Sequence, residues 1–286
     1  MPLPRLAVAV IGDEIGPSLS EMISFCAEND VRRLDMRTVE GKNLLGMTLD
    51  EVGALAKALH GADIKVPTFV SPVLKWPAAG KAAADAKVDF AFDPSLCPTG
   101  DLLAHAFDVA TVLGASKLRV FSHLRYPGYK PADLEAAVDR LMDLAERADV
   151  TVEMENEPVC NIGSVSELAQ FFAHFPDAPE HLRPLVDIGN SWNMGKPPSD
   201  DEIAALAPRV DLIHLKDRDF KARRTVPLGD GGVPWAEELK RLLGGVRGPE
   251  VVASMETHCP HDGRHATARS VAALRRIAGE IGVEIV

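Results

Sequence analysis

The sequence predicts an α/β fold, a single (β/α)8 TIM barrel spanning residues 1–286 as one domain. Two observations predict it. Short apolar runs alternate with helix-like segments from start to finish, and nearly every run ends in a polar residue. A doubly wound open sheet, the other alternating architecture, has fewer units and gathers its ligand in one crevice. No internal repeat, linker or low-complexity tract divides the chain.

The first strand is Leu6–Ile11, and Pro17 and Ser18 then introduce a helix running to about Glu28. Val31–Val39 is the second strand. Thr48 followed by Glu51 is a capping box opening a helix to His60. Ile64–Val70 is the third strand. The segment 71–98, rich in Ala, Pro and Lys, reads as a loop over one end of the fold. A helix over Asp101–Leu113 stops at Gly114, and Lys117–Ser122 is the fourth strand. Pro131–Ala148 is an amphipathic helix, and the fifth strand runs from Val150 to Glu155. Ser164 with Glu167 caps the next helix. The remaining strands are Pro184–Asp187, Val210–His214 and Val251–Glu256, and a last helix covers about Gly263–Glu280.

The formal net charge is −11, with a pI near 5.3, so a phosphate backbone is repelled on average. Nucleic acid is therefore not the expected partner. Cys26, Cys97, Cys160 and Cys259 are scattered, with no CxxC pairing, which predicts a reduced, cytoplasmic chain without disulfides. The start, Met-Pro-Leu-Pro-Arg, does not read as a signal peptide, and no apolar run is long enough to cross a bilayer, so no membrane is expected.

Four strands end in Glu155, Asp187, His214 and Glu256, spaced 32, 27 and 42 residues apart, about one strand–helix unit each. A charged side chain at the end of an apolar strand costs free energy unless it is paired or bound to a cation. Repeated at one strand end after another, the pattern points to a metal site at the mouth of a parallel barrel. Each residue alone has a plainer reading. Glu155 could belong to an exposed acidic strand end, and Asp187 could cap a turn. His214 could be a hydrogen-bonded core histidine. Glu153, Glu155 and Glu157 alternate onto one side of their strand, and Glu155, with Asn156, is the one nearest the rim.

The chain resembles the xylose-isomerase-like TIM-barrel superfamily, the sugar phosphate isomerase/epimerase group, over essentially its whole length. The matching pieces are Glu155-Asn156-Glu157-Pro158, Asp187-Ile188-Gly189, His214-Leu215-Lys216-Asp217, Gly229-Asp230-Gly231-Gly232-Val233-Pro234-Trp235 and Met255-Glu256-Thr257-His258. The resemblance implies one divalent ion, Mn2+ or Mg2+ with Co2+ and Zn2+ as further options, held by Glu155, Asp187, His214 and Glu256. It implies Glu155 and Glu256 as acid and base on opposite faces of a carbohydrate-like substrate, with an enediolate stabilised by the metal. The resulting activity is isomerisation or epimerisation of a small sugar, polyol or keto-acid. The alternative is a lyase on the same scaffold, of the inosose or dehydroshikimate dehydratase type. An abasic-site endonuclease is disfavoured by the acidic charge and by the lack of further strand-end histidines. A homo-oligomer is compatible with the resemblance.

Two positions depart from the epimerase pattern. Asn190 stands where those enzymes carry His, and Phe220 stands where some carry Arg. Lys216, on the same strand face as His214, is a candidate replacement contact, and Glu157, Asn190, Lys216 and His123 make up the expected substrate-binding set. Asp13, Glu14, Asp35, Arg37 and Ser122 also lie where barrel loops meet a substrate. Gly229–Trp235 lacks the strand–turn–helix setting and following acid of a dinucleotide loop, and Trp235 is expected to pack against the barrel.

Overall fold

The computed structural model describes residues 3–83, 92 and 97–286. Eight parallel strands alternate with helices around a barrel: β1 (Arg5–Ile11), β2 (Leu34–Asp35), β3 (Thr68–Phe69), β4 (Lys117–Val120), β5 (Thr151–Glu155), β6 (Leu182–Asp187), β7 (Leu212–Leu215) and β8 (Glu250–Met255). Seven neighbouring pairs form ladders, and β1 pairs with β8. The ring closes between β2 and β3 through single bridges, Arg33 to Lys65 and Met36 to Phe69. The expected single (β/α)8 barrel is the observed fold.

Side chains alternate inside and outside along each strand. Leu6, Val8 and Val10 of β1 pack outward in the helix-facing core, whereas Ala7 and Ala9 meet Leu185, Leu212 and Val252 in a small cluster inside the ring. Lys117 and Arg119 of β4 and Glu153 of β5 are buried as well. Arg119 is 1% exposed, one of the largest fully buried side chains among the described residues.

The helices follow their caps. Ser18 opens α1 (Leu19–Glu28), Thr48 opens α2 (Leu49–Gly61), and Asp101 opens α3 (Leu102–Leu113), which stops at Gly114 in a left-handed conformation. Pro131–Leu134 forms a 3-10 turn leading into α4 (Glu135–Ala148). Ser164 and Glu167 form the capping box of α5 (Val165–His174). α6 (Ile188–Asn193), α7 (Asp200–Leu206), α8 (Trp235–Leu243) and α9 (Gly263–Ile281) complete the set among the described residues. Trp235, the first residue of α8, is buried as expected.

Two strands are shorter than in the sequence reading. The second strand is shorter than Val31–Val39 because Thr38–Val39 leaves the barrel and pairs with Lys42–Asn43 as a hairpin. Glu40 and Gly41 form its two-residue turn with φ of 51° and 73°, the left-handed pair that tight hairpins require. The third strand shrinks from Ile64–Val70 to two residues, next to Pro67, which has no N–H to give a ladder. In the segment 71–98, residues 71–83, 92, 97 and 98 form no helix or strand, and the rest of that expected loop lies outside the described residues.

Candidate metal centre and active site

Glu155 ends β5, Asp187 ends β6, His214 lies in β7, and Glu256 directly follows β8. The pairing register sets Asp187 beside His214, and Ser254, two residues before Glu256, beside the same histidine. One ligand atom from each of the four residues lies within 4.8 Å of all the others, and all four side chains are buried. His214 Nδ1 faces this centre, 3.0 Å from Glu155 Oε1 and 3.5 Å from Glu256 Oε2.

Local structure holds the ligands in place. The Asn156 side chain accepts the Asp187 N–H at 2.9 Å and donates to the Asp187 carbonyl at 2.8 Å, which joins the ends of β5 and β6. Asp187 caps α6 with Oδ1, which accepts from the Asn190 N–H at 2.7 Å, while Oδ2 faces the centre. The cap and ligand readings of Asp187 are therefore both realised, one on each oxygen. Gly189 is needed here, because a Cβ would come within 2.7 Å of Lys216 Cγ and 2.8 Å of the Lys216 carbonyl. The glycine loop after β7 wraps a carboxylate of its own chain, since Asp217 accepts the N–H groups of Gly229, Gly231 and Val233.

Buried cations surround the ligands. Arg119 Nη1 lies 3.1 Å from Glu155 Oε2 and 3.7 Å from Glu256 Oε1. Arg37 reaches Glu256 at 3.3 Å, Glu14 at 2.9 Å and Asp13 at 3.0 Å. Lys216 Nζ approaches Asp187 Oδ2 at 2.9 Å and Glu256 Oε2 at 2.6 Å. Lys216 thus sits against the two oxygens that face the centre, and each oxygen keeps a further lone pair for an ion.

The fields act in opposite directions. Burial disfavours charge on Glu155, yet His214 and Arg119 beside it bring its carboxyl down to about 2. Burial likewise opposes ionisation of Glu256, but Lys216 and His258 hold it well below the usual carboxylate range. Burial pushes Asp187 up to about 6, against the pull of Lys216 and with the help of Glu155 and Glu256. For His214, burial would lower the pKa, but the Glu155 carboxylate carries it up to about 10.

Among the described residues, this ion-pair network joins five carboxylates (Asp13, Glu14, Glu155, Asp187, Glu256) to three permanent cations (Arg37, Arg119, Lys216). With His214 neutral, as a ligand must be, the balance of two negative charges is what one divalent ion neutralises. Together with the free acceptor atoms and the single imidazole, it makes the residues fit such an ion.

The other expected contacts separate. Lys216 joins the centre. Glu157 lies one step beyond it, 3.4 Å from Lys75 Nζ, and Asn190 Nδ2 lies 3.5 Å from Glu157 Oε2 and 2.8 Å from the Asn156 carbonyl. His123 has a left-handed φ of 60° and directs Nδ1 to the Trp76 carbonyl at 3.2 Å. Phe220, where an arginine was considered, stacks with Trp192.

Sequence reading missed Arg119 and the Asn156 tie, and it placed Arg37 only among the residues where barrel loops meet a substrate, without the link to Glu256. The signal for Arg119 was present as Lys-Leu-Arg at 117–119, alternating with the same period as Glu-Met-Glu at 153–155. His258 was also missed as a contact. Its Nε2 lies 3.3 Å from Glu256 Oε1, and its N–H donates to Glu14 Oε2 at 2.8 Å. Its φ of 49° is held by that bond, on the wall of a cleft of about 560 Å³ lined also by Asp13, Glu14, Arg37 and Thr38.

The chain resembles several solved structures in fold. The IolI protein with a bound zinc atom superposes with a TM-score of 0.73 at 14% identity, covering 96% of this chain and 99% of that one. The probable 3-DHS dehydratase AsbF from Bacillus anthracis gives 0.67 at 16% identity, covering 94% and 98%. D-allulose 3-epimerase from Methylomonas sp. gives 0.66 at 18% identity, covering 97% and 100%. No curated protein sequence matches the chain. No helix among the described residues is long and apolar enough to cross a membrane. The family profile of the xylose isomerase-like TIM barrel matches residues 29–277, and the chain belongs to that family.

Proposed function

We propose that the chain is a divalent-metal-dependent isomerase or epimerase acting on a small sugar, polyol or keto-acid. The observation that carries the reading is the charge balance of the centre: five carboxylates against three permanent cations, with free acceptor atoms on Asp187 and Glu256. Mn2+ or Mg2+ held by Glu155, Asp187, His214 and Glu256 would polarise a substrate carbonyl and so lower the cost of removing the neighbouring proton.

The chain's own groups do the rest. Glu155 and Glu256 come from β5 and β8 and reach a substrate from different sides. Held ionised by Arg119, Arg37 and Lys216, each is ready to accept a proton from carbon. Lys216 supplies a donor for a substrate oxygen, and Glu157 and Asn190 line the approach beyond it. The cleft beside His258 is of a size for a small ligand, with acidic and basic groups that suit a polyhydroxylated compound.

The test is turnover of ketoses and cyclic polyol ketones in heavy water with added Mn2+. Isomerase or epimerase action places solvent deuterium on a carbon next to the carbonyl of recovered sugar. A dehydrated product carrying a new double bond or its keto tautomer would assign the lyase reaction instead. Turnover unaffected by excess chelator would overturn the metal reading.

A further inference from the structure

Beneath His214, on the side away from the four-ligand centre, the barrel interior holds a buried polar cluster that the proposed chemistry does not use. Asp35 of β2, Thr68 of β3, His214 of β7 and Ser254 of β8 contribute to it, all fully buried. The Asp35 carboxyl, at the end of β2, is turned toward Thr68 of β3, Ser254 of β8 and His214 of β7. Asp35 Oδ1 accepts the Thr68 N–H at 2.9 Å. Four further atoms, Asp35 Oδ2, Thr68 Oγ1, Ser254 Oγ and His214 Nε2, are buried without a partner in good hydrogen-bond geometry, although the Ser254 and Thr68 hydroxyls lie close enough to act on the Asp35 carboxyl. They are neighbours: Ser254 is the register partner of His214, and Ser254, His214 and Thr68 are the groups that offset the burial of the Asp35 carboxyl.

A buried polar atom left without a partner is costly, so side chains that can satisfy one another do so. The set is complementary. An imidazole N–H donates, a hydroxyl both accepts and donates, and a carboxyl oxygen accepts. We infer that Asp35 is a positioning residue for His214: the Nε2–H donates to the Ser254 hydroxyl, which in turn donates to Asp35 Oδ2. The relay keeps the proton on Nε2 and leaves Nδ1 as the nitrogen that faces Glu155, Asp187 and Glu256. Partners of this kind behind a ligating imidazole fix its tautomer and ring orientation. The consequence for ion affinity rests on the metal reading above, but the relay itself does not.

The test uses histidine-15N-labelled whole chain, metal-free and with Zn2+ as the probe ion. Long-range proton–nitrogen spectra report the protonation and exchange of His214 Nε2, and competition with a chromophoric chelator reports Zn2+ affinity. Wild type is expected to show a slowly exchanging Nε2 proton in both states. Asp35→Asn turns a donor toward the relay, so it should speed that exchange and weaken Zn2+ binding by about 10- to 100-fold. Ser254→Ala, which removes one hydroxyl and keeps the fold if Asp35→Asn does not, should shift both readouts in the same direction. Thr68→Val removes the other hydroxyl beside Asp35, off the path to His214, and should shift both readouts less than Ser254→Ala does. Unchanged exchange and affinity in Ser254→Ala, with Zn2+ bound by wild type, would overturn the relay and leave the metal reading standing. A wild type that takes up no Zn2+, yet whose Nε2 proton depends on Asp35 and Ser254, would do the reverse.

Discussion

Two ionic layers are stacked inside one barrel, two residues apart on β5, and they differ in balance. In the lower layer Glu153 pairs with Lys117 at 3.2 Å, Lys117 also meets Asp211 at 2.6 Å, and Arg183 meets Asp211 at 3.1 Å. Two acids face two bases there. Burial, with Asp211 beside it, holds the Glu153 carboxyl well above its usual range despite Lys117. In the upper layer Glu155 has an arginine of its own, yet the network around it keeps an excess of two carboxylates among the described residues. Burial of charge is therefore common to both layers and marks neither as a site. Both layers also hold acceptor oxygens without a hydrogen-bond partner, Glu153 Oε2 and Asp211 Oδ1 in the lower, Asp187 Oδ2 and Glu256 Oε2 in the upper. The excess of carboxylates and the imidazole that converges on them distinguish the upper one.

Substitutions separate the layers. The largest effect belongs to Glu155→Gln and Glu256→Gln, which keep the shape but remove the proton acceptor. Turnover in each should fall by roughly 10²- to 10⁴-fold, with substrate binding less affected, as read from kcat and KM. In the lower layer, Lys117→Met leaves Glu153 and Asp211 together without their shared cation. It should cost about 3 kcal/mol in chemical denaturation, the low end for a broken buried pair because Glu153 can take up a proton. Its metal uptake should match wild type.

A smaller effect is graded with pH. The His214 imidazole, carried up to about 10 by Glu155, holds a proton at neutral pH that an ion must displace. Ion affinity should therefore rise with pH, by about tenfold per unit between pH 7 and 9 for one displaced proton. Below the Asp187 value of about 6 a second proton competes, and the dependence should steepen. A flat affinity over pH 6–9 in calorimetric titration would mean that His214 Nδ1 is not a ligand.

The four upper residues were legible because each joins an apolar run to a polar end, and both halves of that signal are local. The barrel was legible for the same reason. The pairing of Lys117 with Glu153 and of Arg119 with Glu155 was not, since it depends on which strands become neighbours. The lengths of β2 and β3 were obscured because their apolar runs continue past the ladder, into a hairpin at Thr38 and back across Pro67. α7 was missed although Ser199 and Glu202 form the same capping box that revealed α2. Asp187 was treated as either a cap or a ligand, and its two oxygens allow both.

Metal content of the purified chain, equilibrated with Mn2+ and freed of excess ion, tests the upper layer most directly. One ion per chain is expected in wild type, in Glu153→Gln, and in His261→Ala and His265→Ala, whose histidines are outside the four-ligand centre. His214→Ala should retain almost none. Wild type without bound ion, or His214→Ala and His265→Ala losing it alike, would contradict the assignment.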